Sequence, residues 1–346
     1  MRILIIKPSS LGDVVHALPT VNRIRQRYPD ARITWLINDT LAPLLDRCPI
    51  IDEIIEFPRA EFTNPTHAVR FLGFVRQLRA RQFDLVIDLQ GLFRSGLMTW
   101  ATRAPRRIGR SDAREGARFA YTEIVTVPDS QARGTPHSAQ NVAANIHAVD
   151  RYLLIADYLK CPPLPVLFPL YRDEVMRQRV DALLGSVREK LIAVNPSTRW
   201  PTKLWGDENF RALLAKLPRD RVVLTGSAGD AVRVGALAGD CLNLAGKTSV
   251  MELVELLRRC SVLVTGDSGP MHLAAAVGTP VVAIFGPTDP VLTGPYGKGH
   301  VVLRTELPCS PCLKAECVNP IIMECMKKIT VDQVRAAVEP FLTGTR

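Results

Sequence analysis

Short apolar runs alternate along this chain with segments whose apolar residues recur at helical spacing. Arg2–Ile6 is a compact apolar run suited to a buried strand, and a Ser/Gly turn follows at 7–13. In 14–28, Val14, Leu18, Val21 and Ile24 fall on one face and Arg23, Arg25 and Arg27 on the other, so the spacing predicts an amphipathic helix. Pro29 and Asp30 end it. The same reading predicts strands at 33–37 and 83–89 and helices at 67–81 and 91–101. After the Pro-rich stretch Cys161-Pro-Pro-Leu-Pro165, a second alternating set begins. It predicts strands at Leu191–Asn195, 221–225, 262–265 and 280–285, helices at 209–217, 250–258 and 270–277, and a last amphipathic helix at 331–342. Strand–helix alternation implies parallel, doubly wound sheets. The fold class is therefore α/β, with two Rossmann-like domains at 1–165 and 166–330 facing across a cleft. In such sheets ligands bind beyond the carboxyl ends of the strands, so residues just after strands are the ones to search.

Composition narrows the class. The 346 residues suit two domains, and 47% apolar residues supply two cores that must be aliphatic, because only 6% are aromatic. The formal charge of +10 points to acidic partners: nucleic acid, an anionic membrane face or a phosphorylated substrate. Nucleic acid is disfavoured, because base-stacking aromatics do not stand among the basic clusters. No apolar run is long enough to span a bilayer. The apolar stretch at the N-terminus is too short for a signal peptide, so a cytoplasmic location is expected. Eight cysteines in that compartment argue against a disulfide framework.

Five stretches carry candidate chemistry. Lys7-Pro-Ser-Ser-Leu-Gly-Asp13 leaves the first strand and opens a helix, where amide groups and the helix dipole favour an anion. Ser9, Ser10 and Gly12 shape that loop, and Asp13 either caps the helix or acts as a base. Asp88, Gln90 and Arg94 follow a strong strand and either contact an acceptor or brace the first loop. After the strand ending at Asn195, Ser197 and Thr198 offer hydroxyls and Lys203 a point charge suited to phosphate. In Thr265-Gly-Asp-Ser-Gly-Pro-Met-His272, the amides of Ser268 and Gly269 make an anion site, Asp267 suits sugar hydroxyls, and His272 lies inside the following helix. Last, Cys309, Cys312, Cys317 and Cys325 begin with a Cys-x-x-Cys pair and suit a structural zinc or iron ion. Neither a Walker loop nor a Gly-x-Gly-x-x-Gly fingerprint is present.

These stretches, together with Thr202-Lys-Leu-Trp205, Gly286-Pro-Thr-Asp-Pro290 and Tyr296-Gly-Lys298, resemble the ADP-heptose:lipopolysaccharide heptosyltransferases. Those are inverting glycosyltransferases of the GT-B fold. The resemblance implies Asp13 as general base, Lys203 on the donor phosphate and sugar, and Asp267, Ser268, Gly269 and His272 around the heptose and diphosphate. Thr248 stands where the family often has Met near the adenine, and 286–289 closes that region. The resemblance further implies ADP-heptose as donor and a lipid A-core acceptor, either Kdo2-lipid A or its monoheptosylated form. It implies that no cofactor is required, which fits the absence of an Asp-x-Asp metal pair. A closing helix at 331–346 that packs back on the first domain is also implied. The alternative is a GT-B transferase using another nucleotide-sugar or a protein acceptor, as autotransporter heptosyltransferases do. A lipid acceptor and the basic charge together suggest peripheral binding to the inner face of the inner membrane, with Arg70, Arg76, Arg79 and Arg81 on one helix as candidates.

Overall fold

The computed structural model describes residues 1–58, 68–128, 146–185 and 190–343. It divides into two compact units, Met1–Tyr171 and Arg172–Arg346, so the boundary falls just past the Pro-rich stretch. In the first unit β1 (Arg2–Ile6), α1 (Leu11–Arg27), β2 (Arg32–Asn38) and β3 (Glu53–Phe57) come first. Then follow α2 (Ala68–Ala80), β4 (Leu85–Asp88), α3 (Phe93–Ala101), β5 (Arg106–Arg110), β6 (Glu123–Val125) and α4 (Ala148–Tyr158). Of the helix expected at 67–81, His67 lies outside the described residues. The six strands are parallel in the order β3-β2-β1-β4-β5-β6.

The second unit opens with α5 (Glu174–Leu184), β7 (Leu191–Asn195), α6 (Asp207–Lys216), β8 (Val222–Leu224), α7 (Ala231–Ala238) and β9 (Leu242–Asn243). It continues through α8 (Val250–Arg259), β10 (Cys260–Gly266), α9 (Gly269–Ala276), β11 (Val281–Phe285), α10 (Pro290–Thr293) and β12 (Val301–Arg304). Two helices, α11 (Glu324–Lys327) and α12 (Val331–Thr343), close the described chain. Its sheet is again parallel, in the order β12-β11-β10-β7-β8-β9. Each sheet therefore has the reversal of strand order at which doubly wound folds place ligands, next to β1 in one and next to β7 and β10 in the other.

The central strands β1, β4, β7 and β11 are buried along their whole length or nearly so, as expected of parallel strands covered on both faces. The expectation that the last helix packs on the first domain is corrected. In α12, Val334 and Val338 enter the core formed by Ile192, Val194, Phe210, Val264 and Val282 of the second unit. Trp205 Nε1 donates to the Ile329 carbonyl at 2.8 Å and Lys216 pairs with Asp332, which fixes the helix against α6. A two-valine stripe needs only one apolar surface, and its own domain supplies it.

One contact in the first sheet limits which residue can occupy β5. A Cβ built on Gly109 would lie 2.1 Å from the Tyr121 ring. Gly109→Ala is therefore expected to displace that ring and destabilise the unit by about 1–3 kcal/mol, as overpacking does. Urea unfolding followed by circular dichroism reads this as a lowered midpoint, and an unchanged midpoint contradicts the contact.

Candidate active site

In the first unit the loop after β1 is held from both sides. Lys7 is buried, its N–H donates to Leu36 O at 3.2 Å, and its own carbonyl accepts from Trp35 Nε1 at 3.2 Å. Pro8 O accepts from Asn38 N at 3.0 Å. Ser10 is the N-cap of α1, and Asp13 sits three residues on. Asp13 Oδ2 accepts from Ser10 N at 3.1 Å and Ser10 Oγ at 2.9 Å, and Lys7 Nζ stands 3.8 Å away. The arrangement is a capping box, yet the Asp13 side chain keeps 41% of its surface exposed. Capping and an outward-facing carboxylate coexist in this residue.

The loop after β4 meets the first loop. Asp88 is fully buried at the strand end. Its Oδ1 accepts from Gln90 N at 2.9 Å and Gly91 N at 3.0 Å. Its Oδ2 accepts from Ser95 Oγ at 2.8 Å and Tyr121 OH at 2.8 Å. Burial pushes the Asp88 carboxyl up from the usual range, while these four donors act in the opposite direction. With its oxygens so occupied, Asp88 shapes the turn. That turn presents Gln90, whose Oε1 accepts from Ser9 N at 3.4 Å. Gly91 is left-handed there (φ +67°), a conformation glycine adopts without strain. Arg94 is exposed, and its guanidinium lies 5.9 Å from the Phe57 ring centre.

The second unit places its polar residues at the carboxyl ends of β7 and β10. Lys203 Nζ donates to Asp267 Oδ2 at 2.7 Å, with both side chains largely buried. The same ammonium lies 4.6 Å from the Trp200 ring centre. His272 Nε2 stands 4.0 Å from Asp267 Oδ1. Ser268 is the N-cap of α9 and Gly269 its first residue, so the first-turn amides carry the orphan donors of a helix start. Gly266 is required by close approach, because a Cβ there would meet Thr198 Cγ2 at 2.9 Å and the Lys203 carbonyl at 3.1 Å. Thr198 Oγ1 is turned to Trp200 O at 2.9 Å, and Ser197 Oγ accepts from Arg233 Nη1 at 3.3 Å. Lys203, Asp267, Ser268 and His272 thus gather at one place. Thr248 lies apart, in the turn between the edge strand β9 and α8.

Sequence reading does not single out Asn195. Its Nδ2 donates to Ser197 O at 2.8 Å and Thr265 Oγ1 at 3.1 Å and reaches Ser268 Oγ at 3.4 Å, tying the two strand ends together. Tyr121 and Arg233 are missed too, since each acts on a loop far away in sequence. A polar residue ending an otherwise apolar strand is the only signal for Asn195.

The four-cysteine expectation is not supported. Among the described residues, no group of three or more His, Cys, Asp or Glu side chains is placed to hold a metal. Cys309 and Cys312 are exposed, and all four thiols are free. Cys309 Sγ accepts from Asn319 Nδ2 at 3.2 Å and Cys317 Sγ from Met323 N at 3.3 Å. The Cys317 thiol is thereby lowered, whereas burial first and the neighbouring Cys312 second push Cys325 up. Met326 and Cys325 pack over Gly286, where a Cβ would lie 2.4 Å from Met326 Sδ and 2.9 Å from Cys325 Sγ. The loop instead buttresses the site. Ser310 Oγ donates to Gly286 O at 2.6 Å, Leu313 N to Pro287 O at 2.7 Å, and Thr202 Oγ1 to Lys314 O at 2.9 Å.

Two parallel six-stranded sheets, each with a polar cluster beyond its central strands, make this an α/β fold of the GT-B type. Residues 71–323 match glycosyltransferase family 9 (heptosyltransferase), and the chain belongs to that family. It is 30% identical over 335 residues to lipopolysaccharide heptosyltransferase 1 of Pseudomonas aeruginosa, covering 92% of this chain and 87% of that one. To lipopolysaccharide heptosyltransferase 2 of Salmonella typhimurium it is 31% identical over 318 residues, covering 88% of each. Its fold matches the solved structure of E. coli ADP-heptose lps heptosyltransferase II with a TM-score of 0.79 at 24% identity, over 100% of this chain and 99% of that one.

The link from Thr202 to the cysteine loop is testable alone. Thr202→Val keeps the shape and strands the Lys314 carbonyl, at a cost of about 1 kcal/mol. In a unit of this size that lowers the melting temperature by roughly 2–4 °C, and Thr202→Ser should restore it. Equal melting of all three proteins removes the buttress.

Proposed function

We propose that this glycosyltransferase moves a heptose from ADP-heptose to the lipopolysaccharide inner core, on Kdo2-lipid A or its monoheptosylated form. The observation that carries the reading is the Lys203–Asp267 pair beside the start of α9. It sets a cation, a carboxylate and a helix N-terminus at one point, the set a sugar diphosphate needs. The names of relatives with 30% and 31% identity support the donor and acceptor class.

In this reading Asp13 receives the proton of the acceptor hydroxyl as that oxygen attacks the anomeric carbon. The bond to ADP breaks on the opposite face, so the configuration inverts. Charge builds on the leaving diphosphate, where Lys203 and the amides of Ser268 and Gly269 oppose it. Asp267 orients Lys203 and accepts from a sugar hydroxyl, His272 lines the same pocket, and Thr248 lies toward the adenine. Ser9, Ser10, Gly12 and Gln90 hold Asp13 toward the acceptor. These groups neutralise the leaving charge without a divalent ion, so no cofactor is required. No described helix is long and apolar enough to cross a membrane, and the protein meets its lipid-linked acceptor by peripheral binding at the cytoplasmic face. Arg70, Arg76 and Arg79 are exposed on α2, whereas Arg81 is paired with Glu53.

Incubation with ADP-heptose and each acceptor, followed by mass spectrometry, is expected to show addition of one heptose to one of them. Lys203→Ala should lower kcat/KM by about 10–100-fold, the worth of a charged hydrogen bond to phosphate. Transfer to neither acceptor overturns the reading, and unchanged Lys203→Ala kinetics remove Lys203 from the donor site.

A further inference from the structure

Among the described residues the exposed Phe and Trp side chains are three: Phe93, Trp100 and Phe119, each about half exposed. They do not scatter over the surface. Phe93 and Trp100 stand two turns apart on α3, with half-buried Leu97 between them on the same stripe. Phe119 belongs to the short 3-10 turn Ala117–Ala120, and its ring centre is 6.2 Å from that of Phe93. Helix and turn are locked together, since a Cβ on Gly96 would come within 3.0 Å of Ala117 Cα. The rings are therefore presented by two elements in close contact.

Charge says what that surface meets. Residues 89–121 contain seven arginines against two acids, Asp112 and Glu115. Arg94, Arg103, Arg114 and Arg118 are exposed, and Arg94 and Arg118 directly flank Phe93 and Phe119 in the chain. Exposed rings set among excess arginines are the pairing that inserts at a membrane interface and attracts anionic headgroups. A second copy of this surface would bring arginines against arginines, which costs rather than gains energy. An apolar patch of this kind without a partner is uncommon on a soluble domain.

We infer that the α3 face, with Phe93, Trp100 and Phe119 inserted and its arginines on phosphate headgroups, is where the protein docks on an anionic bilayer. The position suits the reaction. α3 leaves from the turn fixed by Asp88, and Gln90 of that turn holds Ser9 of the loop carrying Asp13. Docking there brings the membrane beside that loop, where a lipid-linked acceptor presents its sugars. This last link rests on the function proposed above; the docking surface itself does not.

The test is co-sedimentation of the full chain with phosphatidylethanolamine vesicles containing phosphatidylglycerol. Wild type is expected to bind and to release in salt, and the Phe93→Ser/Phe119→Ser variant to bind about tenfold more weakly, as expected for two rings left in water. Brominated acyl chains should quench a part of the tryptophan emission that Trp100→Phe removes. Circular dichroism and kcat/KM on a deacylated, water-soluble acceptor should be unchanged in both variants, while transfer to vesicle-embedded acceptor falls in the double variant. Equal vesicle binding by wild type and the double variant overturns the inference. So does a loss of self-association by that variant in sedimentation velocity, which would make the occupant a second copy. Failure of wild type to transfer heptose to any acceptor sinks the functional reading instead, and leaves the vesicle result to stand alone.

Discussion

A carboxylate buried at the carboxyl end of a parallel strand must be met by donors, and each unit is arranged around one that is. Asp88 ends β4 with four donors on its two oxygens. Asp267 follows β10 with Lys203 at 2.7 Å. Leaving either unmet would cost more than a typical hydrogen bond returns, because the desolvation penalty falls on the charged form. The two solutions differ. Neutral N–H and O–H groups surround Asp88 and turn it into a fixed post for a loop. A largely buried ammonium, also packed over Trp200, faces Asp267, and in the proposed function this pair meets a ligand carrying charge of its own.

From the post at Asp88, order passes outward through the chain. The turn it shapes holds Gln90 against Ser9, and Ser10 and Lys7 then surround Asp13. Asp13 is at once a helix-capping residue and a partly exposed carboxylate, so the two readings of it are not exclusive. The cap restricts the Asp13 rotamer, and in the proposed reaction that restricted geometry is what proton transfer needs. On the other unit, Asn195 bonds Ser197 and the loop bearing the cysteines bonds Thr202, at the two ends of the segment leading to Lys203. That loop's worth lies in its backbone and hydroxyl contacts, which explains how it can buttress the site with no metal-ligating arrangement.

Much of this was legible because parallel strands buried on both faces must be apolar. β1, β4, β7, β10 and β11 stand out as such runs, and the loops that follow them hold the site. The edges were not legible for the same reason. β5 reads Arg-Arg-Ile-Gly-Arg and β9 is two residues long, so pairing with a neighbour defines them and hydrophobic pattern does not. Tyr121 reaches Asp88 across 33 residues, a distance no local pattern spans. α12 misled in a different way: its apolar stripe was plain, but a stripe does not say which domain it faces. The cysteine spacing suggested ligands, while the thiols' placement depends on where the loop carbonyls and hydroxyls anchor. Charge told of an anionic partner, and only the fold put the exposed rings among the arginines.

The proposed reaction depends most directly on Asp13. Asn preserves the capping box, since its carbonyl oxygen can accept from Ser10, and Asn caps helices about as well as Asp. It cannot take a proton. In single-turnover transfer from ADP-heptose, a folded Asp13→Asn variant is predicted to lose on the order of 10²–10⁴-fold in rate, with ADP affinity nearly unchanged because the residues proposed to hold the donor, Lys203 and Asp267 among them, belong to the other unit. A variant that transfers at close to the normal rate would contradict the account, leaving Asp13 a helix cap and the reaction without its base.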